Sequence, residues 1–107
     1  MWVDQFQRIQ FHVPPAPALV QIELNNACNL SCKACPRDEL PILQKPMAYE
    51  VFKNVLRHLN RLGLKRVDLG GWGEVTVHPE FKQILLDLKN QEFDVSFTTN
   101  GLPIKPD

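Results

Sequence analysis

The chain has no excess charge of either sign. Its 12 basic and 12 acidic side chains cancel over 107 residues, and like charges do not run together. It therefore carries no electrostatic footprint for nucleic acid or for an anionic membrane surface. Long apolar runs are missing too. Nothing approaches the roughly 18 consecutive apolar residues of a membrane helix. The opening stretch carries Asp4, Gln5, Gln7 and Arg8, which interrupt the apolar segment a secretory signal would need. Cysteine is scarce, with 3 in all, and these fall between positions 28 and 35. An odd, clustered set is a poor disulfide framework, so the reading is a reducing compartment, the cytoplasm. The 44% hydrophobic content excludes disorder, and the length fits one small domain.

What is present centres on Cys28-Asn29-Leu30-Ser31-Cys32-Lys33-Ala34-Cys35, with the spacing C-x3-C-x2-C, directly after the apolar run Leu19-Val20-Gln21-Ile22-Glu23-Leu24. A structural zinc takes four ligands and an iron–sulfur cubane typically four cysteines. Three thiols on one loop leave one metal position without a ligand from that loop, and an open position is where a metal does chemistry. Gaps of three and two residues keep the sulfurs within reach of one cubane face, as thiolates favoured by the metal's charge. Residue chemistry alone leaves two other fates open: a zinc completed by His12, His58 or His78, or three inert buried thiols.

Around that loop the chain alternates two periods. Residues 1–18 read as an N-terminal extension, ended by Val13-Pro14-Pro15-Ala16-Pro17, whose fixed φ angles and missing donors break regular structure. Residues 19–24 read as a strand, with Asn25-Asn26 as its exit, and 38–46 as irregular because Pro41 and Pro46 interrupt them. Val51, Phe52, Val55, Leu56, Leu59 and Leu62 then form a helical apolar stripe closed by Gly63. Residues 64–69 form the next strand, running into glycines. A second helix begins at His78-Pro79-Glu80, buries Phe81, Ile84, Leu85 and Leu88, and ends near Asn90 as its C′ residue. Residues 93–98 alternate as a third strand. Such β-α-β-α-β order predicts an α/β fold with a parallel sheet and right-handed crossovers. Ligands of such sheets collect at the carboxyl ends of the strands, and the cysteine loop, Gly70-Gly71-Trp72-Gly73-Glu74 and Thr99-Asn100-Gly101 all lie there. The glycine segment is neither a phosphate loop nor a full dinucleotide fingerprint. Taken singly it could be a tight turn with Trp72 as packing anchor, and Asn100-Gly101 an ordinary turn pair.

Three segments in this order resemble those of the radical S-adenosylmethionine (SAM) enzymes: the cysteine loop, Leu69-Gly70-Gly71-Trp72-Gly73-Glu74 like the family's Gly-Gly-Glu segment, and Thr98-Thr99-Asn100-Gly101 like its third-strand ending. The resemblance implies a [4Fe-4S] cluster on Cys28, Cys32 and Cys35, with SAM chelating the fourth iron, and formation of a 5′-deoxyadenosyl radical that takes hydrogen from a substrate. It implies that Gly71, Gly73 and Glu74 border the SAM ammonium, and that Asn100 contacts SAM or substrate. Such enzymes also use an electron donor. The family's barrel has six strand–helix units. Residues 19–107 would be a partial (β/α) barrel, about half of one, to be completed by a C-terminal half, a partner chain or a second copy. Two positions depart from the family: Ala34 replaces a bulky residue expected near adenine, and Val75 a proline. Pro36-Arg37 is similar to relatives that act on peptides or build cofactors. A non-catalytic iron–sulfur or zinc-binding interaction module is the alternative.

Overall fold

The computed structural model describes residues 16–41 and 44–102. The prediction for residues 1–15, with His12, lies outside the described residues. Three short parallel strands, β1 (Val20–Ile22), β2 (Arg66–Leu69) and β3 (Asp94–Phe97), form one sheet in the order β1-β2-β3. Their register places Val20 beside Val67 and Val67 beside Val95, and likewise aligns Ile22, Leu69 and Phe97. Helix α1 (Tyr49–Arg61) connects β1 to β2, and α2 (Phe81–Asn90) connects β2 to β3. This is the partial open α/β sheet expected from the periods.

Alternation gives the sheet two unlike faces. Ile22, Val67 and Leu69 join Phe52, Leu56 and Leu59 of α1 and Ile84 and Leu88 of α2 in one buried core. At about 1.5–3 kcal/mol for each such side chain buried, this cluster is the main stabilising term. The opposite face is polar. There Gln21 Nε2 donates to Asp68 Oδ2 at 3.1 Å and Ser96 Oγ to Asp68 Oδ1 at 2.8 Å, a hydrogen-bonded row across all three strands.

The helix ends differ from expectation in instructive ways. The stripe on α1 is narrower than predicted, for Val51 and Leu62 are 49% and 68% exposed. Gly63, at φ +70°, closes α1 as foreseen: its N–H reaches Asn60 O and Leu64 N–H reaches Leu59 O, the paired bonds of a Schellman motif. Helix α2 ends by the same pair of bonds, from Glu92 N–H to Lys89 O and from Phe93 N–H to Leu88 O. The left-handed position belongs to Glu92 at φ +60°, not to Asn90, which is the last helical residue. Pro79 also lies one residue outside the cap of α2, because Val75–Val77 forms a 3₁₀ turn that delays the helix to Phe81.

Candidate functional site

Three loops leave the carboxyl ends of the strands, and backbone contacts bind the first two together. Glu74 N–H donates to Ala27 O at 2.8 Å, and Asn25 Nδ2 donates to Glu74 O at 2.9 Å. Gly73 makes this approach possible. A Cβ there would press into the carbonyl oxygens of Asn25 and Ala27, the latter at 2.6 Å, so only a residue without a side chain fits. Gly71 lacks a side chain for a related reason: its φ of +153° and the Glu23 side chain against it leave no room, and Glu23 Oε1 accepts the Trp72 N–H at 2.7 Å. Trp72 itself is half exposed, so it does not anchor the turn in the core.

The third loop is fastened by one carboxylate. Buried Glu74 accepts from Thr76 N–H at 3.2 Å, from the Thr76 and Thr99 hydroxyls at 2.6 Å each, and from Asn100 N–H at 2.7 Å. Burial by itself raises the carboxyl pKa, but these donors together favour the charged form and hold it below the usual value. Asn100 Nδ2 then donates to Asn29 Oδ1 at 2.8 Å, beside Cys28. The loop after β3 and the residue after the first thiol are thus hydrogen-bonded across the mouth of the site.

A cleft of about 270 Å³ opens where the second and third loops meet the polar face of the sheet. Gly71, Gly73, Glu74 and Asn100, the four residues singled out from the sequence, all line it together with Gln21 and Asp68. Its lining holds two carboxylates and no lysine, arginine or histidine.

The thiols stand at the edge of this arrangement. Cys28 and Cys35 are half-buried, Cys32 is exposed, and all three are free of disulfides. Cys35 N–H donates to Cys32 O at 3.0 Å, which closes the turn between them. Cys35 also opens the 3₁₀ turn Pro36–Glu39. Among the described residues, no three His, Cys, Asp or Glu side chains converge on one point as a single ion requires. A cubane asks for less, since its three thiolates bind three different irons. The donor set fits such a cluster: three thiols within eight residues of one loop, and in the same loop a buried arginine, Arg37, whose Nη1 has no hydrogen-bond acceptor among the described residues.

His78 is occupied elsewhere. Nδ1 accepts the Glu80 N–H at 3.1 Å, which leaves Nε2–H to donate to Met47 O at 2.8 Å. Met47 N–H in turn donates to Leu24 O at the exit of β1. The imidazole therefore ties the turn after the glycine segment to the strand returning from the cysteine loop. His58 lies exposed in the last turn of α1. Sequence reasoning missed the partners of Glu74, the tie through His78 and the burial of Arg37. Asp68 could have been found, as the one acid inside the apolar run Val67-Asp68-Leu69.

The family model described as the radical SAM superfamily matches residues 22–107, which contain all three loops. The chain belongs to the radical SAM superfamily. It is 37% identical over 101 residues to the "Probable GTP 3′,8-cyclase" of Pyrococcus horikoshii, which covers 94% of this chain and 30% of that protein. The tungsten-containing aldehyde ferredoxin oxidoreductase cofactor-modifying protein of Pyrococcus furiosus is 32% identical, over 75% of this chain and 23% of its own length. The mycofactocin maturase MftC of Mycobacterium ulcerans is 30% identical, over 98% and 27% respectively. The chain thus spans less than a third of these relatives. The crystal structure of BtrN in complex with AdoMet and 2-DOIA superposes with a TM-score of 0.69 at 18% identity, covering 78% of this chain and 36% of that one. That likeness shows that this chain shares its fold with that structure over most of its own length.

Proposed function

We propose that this chain is the cluster-bearing front part of a radical SAM enzyme. Cys28, Cys32 and Cys35 would hold a [4Fe-4S] cluster, and Gly71, Gly73, Glu74 and Asn100 would border the methionine end of SAM. When bound, the cluster supplies the electron that splits SAM into methionine and a 5′-deoxyadenosyl radical, which takes a hydrogen atom from the substrate. The observation that carries this reading is the shared frame of the thiol loop and the cleft: Ala27 is bonded to Glu74, and Asn29 to Asn100. A ligand in the cleft would therefore sit at a fixed offset from the thiols.

The charge of the cleft supports the same ligand. With two carboxylates and no cationic side chain in its lining, it suits a molecule carrying an ammonium and a sulfonium group. Within this reading Glu74 acts mainly through its oxygens' hold on Thr76, Thr99 and Asn100, and offers the ligand the outward side of one oxygen. The names of the relatives, a GTP cyclase, a cofactor-modifying protein and a maturase, favour a cofactor precursor or a peptide as substrate. The rest of the barrel would come from further chain, a partner or a second copy, laid along the free edge of β3, and an external protein would donate the electron. No helix among the described residues is long and apolar enough to cross a membrane. A reducing cytoplasm suits the thiols.

The test is anaerobic reconstitution of the full-length protein with iron and sulfide, then addition of SAM and dithionite. Formation of 5′-deoxyadenosine is expected. A cluster that forms but never cleaves SAM would favour a non-catalytic iron–sulfur module. One zinc per chain with no cluster after reconstitution would overturn the proposal.

A further inference from the structure

Arg37 is the one buried residue of the 3₁₀ turn that follows the third thiol, with only 5% of its side chain exposed. Its Nη2 donates to Leu30 O at 2.9 Å and lies 3.2 Å from Asp38 Oδ1, while its Nη1 is buried with no partner among the described residues. Leu30 lies between the first and second thiols. The guanidinium thus reaches from the far side of the loop to its middle, inside the segment that carries all three sulfurs.

Its charge is poorly compensated. The Asp38 carboxylate is 52% exposed and faces water, where its attraction is screened, and a single carbonyl supplies only a dipole. A buried cation in this condition is expensive to maintain unless another negative charge lies close by. The other carboxylate of the described loop, Glu39, is exposed, and the remaining source of negative charge there is the three cysteines once they are thiolates. A cluster held by three thiolates is the anion that this position lacks.

We infer that Arg37 is the charge partner of the cluster and sets its reduction potential, besides bracing the loop through Leu30. The inference rests on the cluster assignment proposed above. The step concerned is transfer of one electron from an external reductant to the bound cluster, with no bond made or broken. The added electron makes the cluster more negative, so a buried positive charge stabilises the reduced form. Asp38 opposes it by drawing on the same guanidinium.

Two neutralising changes must therefore act in opposite directions. In full-length protein reconstituted anaerobically, Arg37→Gln should make reduction about tenfold less favourable, which is about 59 mV more negative for one electron. Asp38→Asn should move the potential the other way by a smaller amount, and Arg37→Lys should stay near the wild type. The midpoints are read by potentiometric titration monitored by electron paramagnetic resonance, which needs no turnover. A purely structural role predicts broadened or lost signals but no opposite signs. Equal midpoints in the wild type and Arg37→Gln, or shifts of Arg37→Gln and Asp38→Asn in the same direction, overturn the inference. Should Arg37→Gln fail to fold or load, Asp38→Asn decides, and a potential unchanged or lowered in that variant overturns it. A wild-type protein that takes up no cluster would instead sink the proposed function, and this inference with it.

Discussion

Replacing Glu74 by glutamine tests whether one carboxylate fastens the three loops together. The wild-type side chain accepts from Thr76 twice, from Thr99 and from the Asn100 amide, all inside a buried pocket. Glutamine keeps one acceptor oxygen but replaces the other by an amide NH2, which only donates. Either two donors then face each other at Asn100 or the amide flips and faces the hydroxyls. The remaining bonds also lose charge assistance, worth about 1 kcal/mol each, and the orphaned donor costs about as much again. With the Asn100 amide orphaned and three bonds weakened, the sum is roughly 4 kcal/mol. Acid should mimic the substitution. Because the folded carboxyl titrates below its unfolded counterpart, its contribution is present at neutral pH and is lost as pH falls through the folded value. Chemical denaturation of the full-length protein should show the loss in Glu74→Gln at neutral pH and a weaker acid dependence in the variant. A loss under about 0.5 kcal/mol, the level of an ordinary surface change, would refute the account, as would identical acid profiles.

Gly73→Ala should destabilise the protein by about 3 kcal/mol and weaken SAM binding, because all three atoms in its way belong to the backbone and cannot swing aside. Thermal unfolding and equilibrium dialysis with SAM would check both effects. At His78, glutamine can still donate to Met47 O, whereas asparagine can only accept from Glu80 N–H. Dialysis should therefore find SAM affinity better preserved in His78→Gln than in His78→Asn, and the reverse order would remove the tie's importance. Glu92→Gly should raise stability by about 1 kcal/mol, since glycine takes the left-handed position without a Cβ penalty; an unfolding midpoint that falls would contradict this.

The elements were legible because periods of 2 and 3.6 report which face is buried, and the core confirms those faces in Ile22, Phe52, Val67 and Ile84. Their ends were not. Strand length depends on register, and β1 stops at Ile22 where its pairing with Leu69 stops. Helix α2 ends at a glutamate in a left-handed conformation because the Schellman bonds impose that shape on whatever residue stands there. The same division holds at the site. Spacing exposed the thiols, and missing side chains exposed Gly71 and Gly73. Pro36-Arg37 suggested a group of relatives but not the burial of the guanidinium, and nothing near position 74 in sequence announces that Thr99 and Asn100 will close upon it. The Glu74 role arises only when segments 25 or more residues apart meet.

The row formed by Gln21, Asp68 and Ser96 has a consequence for how this slab can be completed. One side of the sheet is oily and already roofed by two helices; the other is wet and bonded to itself. A neighbour cannot seal that wet side as it would a greasy seam, because the carboxylate in the middle would be stripped of water at great cost. Anything that packs against this side must therefore arch over it and enclose a hydrated chamber, whose floor is already laid in these few strands.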